Sequence, residues 1–572
     1  MRGTSKRTVL GLEQLESREV PALVTLWAGV LRVEGSGNAD LIEVTATNRM
    51  AANRVVRTDY QATVRDAATG AILASGSYNT IANRVLSLRV DALGGDDTVK
   101  NRTGLAAEIR GGDGADRLFG GSGVDKLYGG SGDDVLVSLG GGQRDILWGQ
   151  GNQDTYWLDA EASETIADLE PAERALGAVH RVAAFRTNTS QLDRDPDNGV
   201  NQDRAPVAEV ISREPGVGNL MDPAVRFKDQ DAGLGLASFR ANPLFPSGGP
   251  GPEDIRQGQL GDCYFLSTLG AAASIRPERV RQLVADLGDG TYGVHFRNAD
   301  GTDAFVRVDG DLWTDRNGKP FYAKLGRENS TWVAILEKAW AFHRHNQSAA
   351  STSRGGYDSA SNEKGYYLAA GEVPLDAALG MPSTTYSNGN PENAPAGDPA
   401  GIPSDSDFQQ PMAFINRLRR ELNEGKAITL SASAKLGSVD FLQTIQAPES
   451  EQAARDAALL RHKTWQDTLA ALVRNNQNSI DLWFVQVTRA QVQGMVNAAQ
   501  ADLQRIDSQW AANGWSTHPT YRNGEHVYMV VSVSANNQTM ELRNPNDGSR
   551  VITVQSADLF FTCRSFRSYT VA

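Results

Sequence analysis

From Gly111 the sequence repeats every nine residues, and few architectures tolerate that pattern. Gly111-Gly-Asp-Gly-Ala-Asp116-Arg-Leu-Phe119 is followed by Gly120-Gly-Ser-Gly-Val-Asp125-Lys-Leu-Tyr128 and then Gly129-Gly-Ser-Gly-Asp-Asp134-Val-Leu-Val137. After Ser138-Leu139 the period resumes, with Asp145 and Asp154 at the same place in the next two units. The glycines allow tight turns with positive φ. The apolar residue two positions after each Asp gives a row, Leu118, Leu127, Leu136, Leu147 and Tyr156, that points inward when the units stack. A flexible Gly/Asp linker has no reason to keep that phase.

The pattern predicts a parallel β-roll over residues 111–157. Asp116, Asp125, Asp134, Asp145 and Asp154, with the turn carbonyls, offer the all-oxygen donor set that suits Ca2+. The repeats resemble the calcium-binding repeats of RTX (haemolysin-type) proteins. Weaker copies in the same phase occur at Gly35–Ile42 and Gly95–Val99, and alternating stretches between them read as strands. One β-rich domain is therefore expected over residues 23–165. Sites of this kind saturate at roughly 0.1–1 mM, the range of extracellular modules.

The chain of 572 residues has room for two or three cores. Its net charge of −13 argues against a nucleic-acid partner and fits cation binding. No transmembrane segment is read. Residues 1–22 begin with a basic stretch but lack the apolar run of a secretory signal. Leu12–Ala22 resembles a short targeting-like segment common on planctomycete surface and exported proteins, which points to a bacterial source. Together with the repeats it suggests an extracellular or cell-surface location, with a cytoplasmic one not excluded.

Only two cysteines are present, Cys263 and Cys563. Cys563, near Phe560 and Phe561, reads as a small core residue. Cys263 lies in Gln257-Gly-Gln-Leu-Gly-Asp-Cys263, followed by the apolar stretch Tyr264–Ala272. Asp262 is a candidate N-cap, so Cys263 is expected at a helix N-terminus, where the macrodipole favours a thiolate. From the preceding loop the Gln257 amide can aim at a carbonyl oxygen, beside the Cys263 backbone N–H. Downstream, His526 precedes a strand over Val527–Val533, Asn536-Asn537 marks a turn, and Met540–Arg543 returns. The hairpin brings Asn544 within a few residues of the position opposite His526.

These blocks, together with Trp332-Val-Ala-Ile-Leu-Glu-Lys-Ala and Leu-Arg-Asn544-Pro, resemble the papain-like core of the calpain cysteine proteases. The resemblance implies Cys263 as nucleophile, His526 as general base and acid, Asn544 as its orienter and Gln257 as oxyanion donor. The implied reaction is hydrolysis of internal peptide bonds of protein substrates through a thioester acyl-enzyme. The sequence departs from the calpain pattern in three places. Tyr264 stands where Trp usually follows the Cys, the Trp expected directly after Asn544-Pro545 is absent, and residues 432–525 separate the strand at Ala427–Ser431 from His526. The rival readings are a catalytically inactive, calcium-stabilised surface or adhesion protein and a transglutaminase-type acyltransferase.

The expected fold class is multidomain: an N-terminal all-β parallel β-roll and a C-terminal α+β papain-like (calpain) protease core with a helical insertion. Residues 166–235 read as a linker, either a passive spacer or a site of self-cleavage, because Thr187–Pro206 is polar and rich in Asp, Asn and Arg. The protease domain is placed at 236–572, and apolar spacing predicts a helical hairpin within about 445–512.

Overall fold

The structure, a computed structural model, describes residues 21–52, 54–140, 144–160, 164–186, 204–206, 220, 222–226, 229, 232–298, 300–345, 357–360, 375–387, 411–434, 442–446, 449–475, 477–482, 485–513, 515–516, 520–521, 523–555 and 563–571. Residues 1–20 of the targeting-like segment and residues 187–203 of the polar stretch Thr187–Pro206 thus lie outside the described residues. The chain divides into two compact units, Met1–Pro382 with Tyr569–Ala572, and Ser383–Ser568.

The nonapeptide units form a parallel β-solenoid. Asp125–Ser131 pairs in parallel with Ala106–Asp113 and with Ile146–Gly151, which places Leu127 beside Ile109 and Leu147. On the opposite sheet Val135–Val137 lies between Arg117–Phe119 and Thr155–Asp159, with Leu136 beside Leu118 and Tyr156. Successive units therefore alternate between the two sheets, and one turn takes two units. The five apolar residues read from the repeat are all buried in the core between the sheets. The early copies join the same stack, since Leu41–Thr45 pairs in parallel with Thr98–Arg102. A long antiparallel excursion, Asp40–Ala51 against Arg54–Asp66, grows from it.

The solenoid continues past residue 165, into the stretch assigned to a linker. Thr165–Ile166 pairs with Ile146–Leu147, a short helix covers Pro171–Leu176, and Val179–Val182 adds a further parallel strand beside Tyr156–Asp159. Ala184–Arg186 then enters a five-stranded sheet with Asp303–Asp309, Thr291–Arg297 and Val284–Asp286. The linker reading rested on the polar stretch Thr187–Pro206; upstream of it, Glu173 of this helix is buried and hydrogen-bonded within the stack.

Within this first unit the roll and the five-stranded sheet share a core. Phe119, Val137 and Trp157 are aligned on the outer face of one solenoid sheet, where a free roll would show polar residues. They are covered by Val182, Phe185, Ala285, Leu287 and Phe305, and the two-residue insertion supplies Leu139 to the same cluster. Packing is close: a Cβ on Gly293 would sit 3.0 Å from the Trp157 ring. Arg102 donates to the Gly288 carbonyl at 2.5 Å, and Arg281 pairs with Asp133 at 3.3 Å. The helix Cys263–Ile275 is buried from Tyr264 through Ala273. Near it runs the helix Trp332–His345, whose buried Lys338 donates to Asp309 and to Asp222.

The second unit is a six-stranded sheet with the helix Pro411–Asn423 packed on it through Phe414, Ile415 and Leu418. Ala427–Ala434 pairs antiparallel with Asn523–Val533, Thr429 facing Met529, so everything between these strands is one excursion. It contains the predicted helices, Glu449–Arg474 and Arg489–Asn513. They pack through Ala458, Ile506 and Trp510, with Arg455–Asp507 and Arg461–Asp502 pairs at 2.8 and 3.0 Å. The short hairpin Ser479–Leu482/Val485–Thr488 lies between them.

Candidate active site and acidic ladder

Cys263 is the first residue of its helix, with Asp262 in the N-cap position. The expected side-chain cap is not formed; the Phe265 and Leu266 amides instead donate to the Asp262 carbonyl at 2.8 and 3.1 Å. The Asp262 carboxylate faces inward and accepts from Gln257 Nε2 at 3.2 Å, while the same nitrogen donates to the Leu260 carbonyl at 2.6 Å. Both amide hydrogens of Gln257 are thus committed inside its own loop, and its Oε1 is buried without a donor among the described residues. The residue that replaces Trp, Tyr264, is tied down through its hydroxyl. That oxygen donates to the Ala360 carbonyl at 2.9 Å and accepts from Trp340 Nε1 and Arg344, both at 3.0 Å.

His526 lies in the strand Asn523–Val533, opposite Ala432. Its side chain is outside the described residues. The register Met529↔Arg543, carried one residue further, sets Asn544 against Tyr528, two residues along the strand from His526. Asn544 Oδ1 accepts from the Asn546 amide at 2.9 Å, which closes the turn into the strand Asp547–Gln555. Cys263 and Gln257 belong to the first compact unit, His526 and Asn544 to the second.

The repeat aspartates form two columns. In one, the amide of each Asp donates to a carboxylate of the next turn: Asp40 to Asp97 (2.7 Å), Asp97 to Asp116 (2.8 Å), Asp116 to Asp134 (2.8 Å), Asp134 to Asp154 (2.9 Å) and Asp154 to Glu173 (3.0 Å). In the other, Ala107 donates to Asp125 and Asp125 to Asp145, at 2.9 and 2.7 Å. Asp40 and Asp97 belong to the weaker copies, outside the five regular units whose aspartates the repeat marks as ligands. Glu173 arrives from a helix and breaks the period, so the repeat gave no sign of it.

All these aspartates are buried, and each ladder bond satisfies one oxygen only. The Oδ2 atoms of Asp97, Asp116, Asp134 and Asp145 have no donor among the described residues. Burial, the leading cause, pushes the carboxyls of Asp97 and Asp154 up to about 8, Asp116 and Asp125 to about 7, Asp134 to about 9 and Asp145 to about 6. The carboxylates fold under the first glycine of their own unit: a Cβ on Gly111 would fall 2.0 Å from Asp116 Oδ2, and one on Gly129 2.2 Å from Asp134 Oδ2. Among the described residues, no three acidic, His or Cys side chains converge into a metal cage. A cation here needs turn carbonyls as well as carboxylates, the mixed oxygen set that calcium accepts. The unpartnered buried oxygens fit such an ion.

Comparison with known proteins agrees with both halves. Residues 236–357 match the calpain family of cysteine proteases, and residues 108–136 match the RTX calcium-binding nonapeptide repeat. The calpain-type cysteine protease DEK1 of Zea mays is 34% identical over 107 residues, 18% of this chain and 5% of that protein. Calpain-5 of Caenorhabditis elegans is 28% identical over 148 residues, 23% of this chain and 22% of the relative. The calpain-1 catalytic subunit of Mus musculus is 33% identical over 106 residues, 18% of this chain and 15% of the relative. The chain thus matches between 5% and 22% of these relatives' lengths. No helix among the described residues is long and apolar enough to cross a membrane.

Proposed function

We propose that this chain, which carries a calpain-family protease domain and RTX repeats, is a calcium-binding cysteine endopeptidase. The observation that carries the reading is Cys263 at the first turn of a buried helix, inside the segment that matches the calpain family. Unsatisfied N–H groups and the macrodipole there favour negative charge on sulfur. His526 takes the thiol proton, and the sulfur bonds to the carbonyl carbon of a protein substrate. As the C–N bond breaks, the imidazolium returns that proton to the leaving amine, giving a thioester. Water, deprotonated by the same imidazole, then releases the acid and restores the thiol. Asn544 holds the ring, and the Cys263 N–H and Gln257 amide receive the oxyanion. For Gln257 this requires one of its two present hydrogen bonds to open.

Asp116, Asp125, Asp134, Asp145 and Asp154, with Asp97 added from the ladder, would hold Ca2+ together with turn carbonyls. The ion would supply the positive charge that the buried carboxylates lack. Because Phe119, Val137 and Trp157 of the roll share a core with the sheet Val284–Asp309, ordering of the roll supports the lobe that carries Cys263. An extracellular or cell-surface site fits the expected weak calcium affinity. The second reading, an inactive surface protein, is favoured by one observation, the inward commitment of both Gln257 donors.

Casein digestion by the wild type and by Cys263→Ala, each with and without a calcium chelator, tests the assignment. Proteolysis that depends on Cys263 and declines on chelation is expected. Proteolysis surviving Cys263→Ala ends the mechanism, and none from the calcium-loaded wild type favours the second reading. Mapping any self-cleavage between residues 166 and 250 tests the processing expectation.

A further inference from the structure

Two acidic side chains with no role in the mechanism above meet behind the nucleophile turn. Asp262 is 0% exposed and Glu337 1% exposed. Each has one oxygen satisfied: Asp262 Oδ1 accepts from Gln257 Nε2 at 3.2 Å, and Glu337 Oε2 accepts from the Ala323 amide at 2.9 Å. The remaining oxygens, Asp262 Oδ2 and Glu337 Oε1, have no N–H or hydroxyl donor among the described residues. The loop that carries Asp262 lies against the segment that binds Glu337: the Gln259 amide donates to the Phe321 carbonyl at 3.2 Å and the Lys324 amide to the Arg256 carbonyl at 2.8 Å, on either side of Ala323. Each carboxyl acts on the other as a neighbouring charge, and two buried carboxylates so placed repel unless one of them holds a proton.

We propose that Asp262 and Glu337 share a single proton, and that this pair positions the Gln257 amide and the turn that presents Cys263. The proposal rests on reading Cys263 as the nucleophile. The proton resides on Glu337, which donates to Asp262, because Asp262 accepts from Gln257 and so gains more from its charge. Loss of water, the leading cause, raises both carboxyls above their ordinary range, and the neighbouring carboxylate keeps Glu337 protonated. The other charged and titratable groups facing the pair are Arg226, which favours charge on Asp262, Lys324, which favours charge on Glu337, and Tyr357, packed on Tyr322. Below the pair's last ionisation the site carries one negative charge, held by the Gln257 amide. Above it, two like charges are buried side by side next to Cys263, and the chain between Gln257 and Cys263 must shift to separate them.

Glu337→Gln keeps the shape, an acceptor for Ala323 and a donor for Asp262, but has no proton to lose. Glu337→Ala removes the donor and leaves Asp262 buried with an oxygen unpaired. With calcium-loaded full-length protein, infrared difference spectra report protonated carboxyl C=O stretches. At neutral pH the wild type should show a band that is absent in Glu337→Gln and that disappears on alkalinisation. In kcat/KM against pH on casein, Glu337→Ala should lose about a hundredfold. Glu337→Gln should recover most of that loss and extend activity to higher pH. No band difference between wild type and Glu337→Gln overturns the shared proton. Equal damage in Glu337→Gln and Glu337→Ala, with an unmoved alkaline limb, overturns the positioning role. If the wild type cleaves nothing, the infrared result still decides the pair, and it is the protease reading that falls.

Discussion

Asp134 offers the sharpest test of what the roll needs in order to stay folded. It is 1% exposed, and burial raises its carboxyl from 3.8 to about 9. Folding therefore takes up a proton at this site throughout that window. Stability without calcium is fully present at acid pH and falls as pH rises towards about 9. At pH 8 the unfolded carboxyl is ionised and the folded one holds its proton, so this site opposes folding by about 6 kcal/mol, comparable with the roughly 5–15 kcal/mol that holds a whole domain. Five further aspartates in the columns are shifted in the same direction, so the roll cannot keep all of them charged without a counter-ion. Asp134→Asn keeps an oxygen for the Asp116 amide and removes the ionisation. In chelator, thermal melts followed by circular dichroism from pH 5 to 9 should show the wild type losing stability as pH rises. The asparagine variant should be less pH-dependent and the more stable of the two at pH 8, by a few kcal/mol after relaxation. With saturating calcium the order should reverse, because the variant has lost a ligand. The reasoning is refuted if chelated wild type is as stable at pH 8 as at pH 5, or if Asp134→Asn is the less stable protein in chelator at pH 8.

Three more outcomes follow from the same geometry. Calcium titrated into weakly buffered protein at pH 7 should release protons, since the ion replaces those on the raised carboxyls; a pH-neutral titration would contradict the ladder as the binding site. Trp157→Ala should destabilise the unit that contains Cys263 by about 3–5 kcal/mol, with roll and lobe melting together; a melt in which only the roll shifts would show that the shared core does not couple them. Asn544→Ala should lower kcat by about a hundredfold while costing the sheet only about 1 kcal/mol for the lost Asn546 hydrogen bond, and an unaltered kcat would remove Asn544 from the site.

The roll was legible because its constraints are local. Turn conformation demands glycine, burial demands Leu two residues after each Asp, and the nine-residue period repeats both demands. The insertion helices were legible for a similar reason: Ala458, Leu472, Val492 and Ile506 fall at helical spacing and are among the residues buried in the clusters these helices form. What escaped the sequence depends on partners distant in the chain. The apolar ninth residues Phe119, Val137 and Trp157 were in plain view, but nothing near them announces the sheet that covers them. Glu173 completes an aspartate column from a helix, outside the period, in a stretch that looked like a spacer. Asp262 has the composition of an N-cap, yet its carboxyl turns to Gln257, and the Phe265 and Leu266 amides go to its backbone carbonyl instead. A charge at Glu337 within the apolar run Trp332–Trp340 was the one available signal.

The account stands or falls on whether Cys263 is a thiolate nucleophile activated by His526. A peptidyl chloromethyl ketone, applied to calcium-loaded protein and followed by peptide mass spectrometry, reads this directly. Stoichiometric alkylation is expected at Cys263 and none at Cys563, with a large loss of rate in His526→Ala. Labelling of Cys263 at an unchanged rate in that variant, or labelling that falls on Cys563, would contradict it.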